Sequence, residues 1–297
     1  MAFRDRATIA PIARFGTEEH ILTLLILFSA VVFVFFTSKD YIPFAARLVV
    51  PFLLLMLVTA TNMRQRFNLL LWITLGLGLN VVMNFYVIAN HGFVIMYIGI
   101  ALMVACASGE DASKNISRAA VFLISILMAL ALIQKLISPH YISGELIGSY
   151  LANGYMFKTF ISLFDPSWPQ TVHQNLAAQR ALMDVAPAAT ASMSVTIPPA
   201  IQVLAILLTW AALASQVMIE ACVLLRNKLG VWAHYAIMLF VLIIYSTRNE
   251  NVFLSMNLIL GYAITNEQTK SVRVWYVIGV AYLMIMEAMG LRPGIIG

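Results

Sequence analysis

Long apolar runs broken by short polar knots set the pattern of this chain. They fall at about 21–37, 43–61, 68–88, 93–107, 119–138, 199–225 and 230–246, then in a short run ending near Ile264, and last at about 273–289. None alternates apolar and polar positions with period two, which excludes a transmembrane barrel. In lipid, a run of this kind satisfies its backbone N–H and C=O groups only by coiling into a helix. The pattern therefore predicts an all-α, polytopic membrane protein of about nine transmembrane helices. Residues 1–20 read as a polar lead-in, 21–289 as one transmembrane helical domain and 290–297 as a tail.

Two stretches depart from the rhythm. Residues 141–164 are apolar but interrupted by Gly and Ser, as in a broken or re-entrant segment. Residues 165–198 form the one long hydrophilic stretch and are expected to be an outer loop. At that length a connection is expected to be functional or bound to a partner.

Composition sharpens the class. The chain is 62% hydrophobic and only 10% charged, with mean hydropathy +0.90. A soluble domain carries roughly 25% charged residues, so no ordinary water-facing surface is available. The net charge of +5 reads as an orientation signal, because most Lys and Arg residues lie between the runs. With nine spans and the N-terminus in the cytoplasm, the inner loops hold Arg64 and Arg66, Lys114 and Arg118, Arg226 and Lys228, and Lys270 and Arg273. The opposite side receives Lys39, Arg47, Lys158, Arg180, Arg248 and Arg292. Each inner loop is thus at least doubly positive. The C-terminus then lies outside, and the expected location is the bacterial cytoplasmic (inner) membrane. Membrane lipids are expected partners and nucleic acid is not. Cys106 and Cys222 fall inside runs and read as small packing residues, giving no disulfide framework. No cleavable signal is expected at the N-terminus.

The candidate chemistry centres on Lys135. A lysine within a span costs ~2.5–3.5 kcal/mol at mid-membrane and less near an end, where it can snorkel. Lys135 is therefore either an interfacial anchor or a catalytic base. Gln134 precedes it, and His140, Arg248, Glu250 and Glu287 fall on the same, outer side, forming a candidate polar site. Glu220 is an intramembrane acid, a functional-site hypothesis by default. Its position lies roughly 15 Å deeper than Lys135 by helical rise. His91, His140 and His234 share no metal-ligand spacing, and no metal site is expected. Motifs for nucleophilic catalysis, phosphate binding or dinucleotide binding are absent, and no cofactor is identified.

The run MALALIQKLISPHYISGELIGSYL, with Lys135, Leu136 and Gly144, resembles a segment of the vitamin K-dependent gamma-carboxylases and their bacterial relatives, the horizontally transferred transmembrane domain family. NHGFVIMYIGIALMVA, on Asn90 and His91, is similar to that family's entry to the preceding span. VMIEACVLL, with Glu220, is similar to its acidic span, and NENVFLSMNLILGY, on Asn249 and Phe253, to a later span entry. The resemblance implies a carboxylase-like membrane fold over roughly residues 70–265, with Lys135 at the position of a lysine that activates a quinone-like vitamin on the outer side. The pattern departs at ACASGEDASKN and at Ser246, where the family's histidines are expected, and the large lumenal domain is not expected here.

Three functions follow as expectations. In the first, the chain is an accessory protein that matures, exports or assembles a partner protein docked on residues 141–198. In the second it is an enzyme acting on a quinone or another lipid-soluble substrate with Lys135 as base. The third, a transporter, lacks the internal repeats and paired interrupted spans that such folds show.

Overall fold

A computed structural model describes residues 9–38, 42, 44–85, 90–157, 161–183, 197–247 and 250–290. Every regular element among them is helical. In order these are α1 (Ile9–Ser38), α2 (Phe44–Thr59), α3 (Met63–Met83), α4 (Asn90–Ala107), α5 (Ala112–Leu136), α6 (Pro139–Ile142), α7 (Glu145–Ala152), α8 (Trp168–Met183), α9 (Pro199–Leu224), α10 (Arg226–Leu229), α11 (Val231–Thr247), α12 (Asn251–Ala263) and α13 (Arg273–Ala288). Short 3-10 turns cover Gly109–Asp111 and Glu267–Val272.

Five helical stretches are long and apolar enough to cross a membrane: Glu18–Thr37, Met63–Met83, Ala112–Leu136, Pro199–Leu224 and Glu267–Ala288. Four further apolar helices, Phe44–Thr59, Gly92–Ala107, Val231–Ser246 and Asn251–Ala263, are shorter. Each apolar run in the sequence thus forms a helix. A helix rises ~1.5 Å per residue, so the 13 residues of α12 fall well short of a ~30 Å hydrocarbon core.

The chain forms two compact units. The first comprises residues 1–125, 223–241 and 251–290. Within it α1 is the hub and packs against α2, α4, α12 and α13, while α3 packs against α2 and α4. Accordingly the Glu18–Thr37 span is largely buried and the Glu267–Ala288 span is largely not. Residues 9–20, read from the sequence as a polar lead-in, belong to this helix, and His20 is buried. Helix α12 is buried along nearly its whole length despite carrying Asn251, Ser255 and Asn257. Helix starts follow local chemistry: Asn62 caps α3, its side chain accepting from Gln65 N at 2.8 Å. A capping box between Asn266 and Thr269 opens the second 3-10 turn.

The second unit comprises residues 126–222, 242–250 and 291–297. Its core joins Tyr141, Ile147, Leu151, Trp168 and Val172 to Ile201, Ala205 and Leu213 of α9. The hydrophilic stretch expected as a loop contains α8. Asp165 Oδ1 accepts from Ser167 N at 3.0 Å and from Ser167 Oγ at 2.6 Å, which shapes the turn that starts this helix. Trp168 and Val172, one turn apart, face inward. Asn175 Nδ2 donates to Ala152 O at 3.0 Å and so satisfies a carbonyl left open at the end of α7.

Candidate functional site

Lys135 sits in the last turn of α5, where a cation also complements the helix dipole. The chain reverses directly after it. The Ser138 side chain accepts from Tyr141 N at 3.3 Å, and Pro139, which has no N–H to satisfy, opens α6. The reversal brings Tyr141 back beneath the lysine, with Lys135 Nζ 5.3 Å from its ring centroid. Tyr141 is itself buried in the core of the second unit. Lys135 is half-buried and so joins the end of a candidate span to that core through a cation–π contact.

The next turn depends on Gly144, whose φ of +79° is left-handed. A Cβ there would lie 2.9 Å from Ile206 Cγ1 and 3.0 Å from Ile206 N. The position therefore needs glycine both for its conformation and for the close approach of α9. Across this turn His140 Nδ1 meets Glu145 Oε2 at 2.5 Å, with both side chains exposed. That hydrogen bond holds the Glu145 carboxyl below the ordinary carboxylate range. Gln134 and Leu136 are exposed at the end of α5.

The remaining sequence candidates are distributed over both units. Gln134, Lys135, His140, Glu220 and Glu250 belong to the second, whereas Glu287 belongs to the first. There Glu287 Oε2 accepts from Asn251 Nδ2 at 3.1 Å. Glu220 lies on α9 one turn from Gln216. Glu220 Oε2 and Gln216 Oε1 are both buried, and neither has a hydrogen-bond partner among the described residues. Asn90 and His91 occupy the first turn of α4, with their side chains outside the described residues. Arg248 and Asn249 also lie outside the described residues. Phe253, in α12, offers its carbonyl to Asn257 Nδ2 at 2.9 Å. Among the described residues no group of three His, Cys, Asp or Glu side chains could hold a metal ion.

Two aromatic pairings in the first unit were not legible in the sequence. His234, which the sequence shows only as a histidine without metal-ligand spacing, is buried and places Nδ1 2.9 Å from the Tyr276 hydroxyl. His20 stacks on Tyr262 with ring centroids 4.9 Å apart. The Arg273 guanidinium lies 6.0 Å from the same tyrosine ring, and Arg273 Nε donates to Thr265 Oγ1 at 2.9 Å. No local signal marks either pairing. By contrast α8 had one: Asp165, Ser167 and Pro169 form a helix-start signature, followed by apolar Trp168, Val172 and Leu176 at helical spacing.

Comparison of the chain with protein-family models, curated proteins and solved structures gives no match.

Proposed function

We propose that this chain is a nine-span protein of the bacterial cytoplasmic membrane, N-terminus inside, that assists the maturation, export or assembly of a partner polypeptide. The partner docks from outside on the 141–198 region. The fold is taken as carboxylase-like on the resemblance around Lys135, Leu136 and Gly144.

One observation carries this reading. The region after Lys135 is a built element, with α6, α7 and α8 folded around a fully buried Trp168. On it Tyr155, Leu163 and Phe164 remain exposed, the last two at 74% and 75%. Apolar side chains presented by an ordered scaffold are what a recognition surface requires. Lys135 belongs to the same scaffold and its ammonium rests on Tyr141, a role that favours anchoring over base chemistry.

The experiment places a photocrosslinking residue at Leu163 or Phe164 in the native membrane. One discrete polypeptide captured from the outer side is expected, and Lys135→Ala should leave maturation of that polypeptide unchanged. If Lys135→Ala abolishes function while the captured partner stays the same, the enzyme with Lys135 as base and a quinone-like substrate replaces this reading.

A further inference from the structure

The first unit carries an open cavity of about 450 Å³ lined by Glu18, Glu19 and Leu22 of α1, Thr61 and Asn62 of the α2–α3 turn, and Met63 and Arg66 of α3. Its volume lies in the ~300–1,000 Å³ range of small-molecule sites. Its depth is set by the spans themselves. Glu18 and Glu19 are the last acidic residues before the apolar run of α1, one candidate span begins at Met63, and α2 ends at Thr59. The cavity thus lies where three apolar helices meet one membrane face, at the level of lipid headgroups.

The lining has a definite charge pattern. Among the described lining residues two carboxylates stand on the α1 side and one guanidinium on the α3 side, a net charge of −1. Glu18 and Glu19 are exposed, and neither forms an ion pair among the described residues. Arg66 is held in place, its Nε donating to Ala60 O at 3.2 Å and its Nη1 lying 3.8 Å from Met63 Sδ. Nη2 donates to no partner among the described residues. A planar guanidinium suits a phosphate, and a carboxylate suits a primary ammonium with its three donors. Leu22 and Met63 supply the apolar wall that the start of an acyl chain would touch.

We infer that this cavity binds the headgroup of an ethanolamine phospholipid, with the ammonium on Glu18 and Glu19 and the phosphate on Arg66. Choline is disfavoured because its trimethylammonium has no N–H donors and is held by aromatic faces, and the described lining residues include no aromatic ring. Glycerol headgroups are disfavoured because a net anion would meet a net negative lining. The inference rests on the proposed function only for the leaflet, which the nine-span orientation makes the cytoplasmic one.

The test reconstitutes the full chain in nanodiscs of choline lipid mixed with equal ethanolamine or glycerol phospholipid. Lipid retained after detergent extraction is then counted by native mass spectrometry. Ethanolamine lipid should be retained over both others, and the Glu18→Gln/Glu19→Gln variant should lose that preference by about tenfold. Arg66→Lys, which keeps the charge but not the fork, should lose it in part. Equal retention of choline and ethanolamine lipid overturns the inference, as does preferential retention of glycerol lipid or an unchanged preference in the double variant. Soluble phosphoethanolamine is the control for a free ligand. If it binds as tightly as the lipid, the lipid assignment is overturned. None of these readouts depends on the partner polypeptide, so the two proposals can fail separately.

Discussion

His234 Nδ1 lies 2.9 Å from the hydroxyl of Tyr276, and the two residues are 42 positions apart in the chain. Both are buried, and Gly261 packs directly on the tyrosine ring, where a Cβ would stand 2.4 Å from Tyr276 Cε1. Helices α11, α12 and α13 thereby meet at one hydrogen bond and one close approach.

Removing either half of this arrangement should be measurable. Tyr276→Phe leaves His234 Nδ1 buried without its partner, at a cost of about 1–3 kcal/mol. Gly261→Ala drives a methyl into the ring and should cost a similar amount by overpacking. Thermal unfolding in detergent checks both. The two losses should also be strongly non-additive in the double variant, because the same ring is involved. An unchanged melting temperature in Tyr276→Phe would remove this bond from the list of stabilising contacts.

Gly144 and Gly109 separate conformation from space. Gly109 has φ +58° with no described atom near a prospective Cβ, so Gly109→Ala should cost only the left-handed penalty of about 1–2 kcal/mol. Gly144→Ala meets the same penalty and in addition the backbone of Ile206. It should loosen α6, α7 and α9 together, read as faster protease cleavage within residues 139–183. Similar cleavage rates for the two variants would mean that the approach of α9 is not stabilising.

The Glu145 carboxyl is held below its ordinary range by the His140 hydrogen bond. A depressed carboxylate contributes stability that is present above its unfolded-state pKa and is lost as pH falls through the lower folded-state value. Amide protection in the first turn of α7, followed by hydrogen exchange, should therefore decline on acidification below the usual carboxylate range. Glu145→Gln should remove that decline. Both groups are exposed, so the effect is expected to stay local to this turn.

The apolar helices were legible because hydropathy is a local property, and an apolar run in lipid has only one way to satisfy its own backbone. The small turn devices are local in the same sense: Ser138 and Pro139 at the start of α6, and Asn62 at the start of α3, act over a few residues. Helix α8 was within reach of the same logic, but its hydrophilic composition outweighed the start signal at Asp165 and Ser167. Lys135 stood out in the sequence as a cation within an apolar run. Its contact with Tyr141 required the direction of the chain after Ser138.

Tertiary structure alone decided the rest. Which face of α11 meets which face of α13, and hence the pairing of His234 with Tyr276, depends on how the helices are rotated and ordered in space, and apolar runs alike on every side carry no such information. The same holds for His20 on Tyr262, for Asn251 with Glu287, and for the cavity between Glu18–Leu22 of α1 and the start of α3. Sequence by itself determined that this chain is helical and suited to a membrane. The packing of those helices decided which of its few polar side chains face one another, because contacts between residues far apart in the chain exist only once the helices have docked.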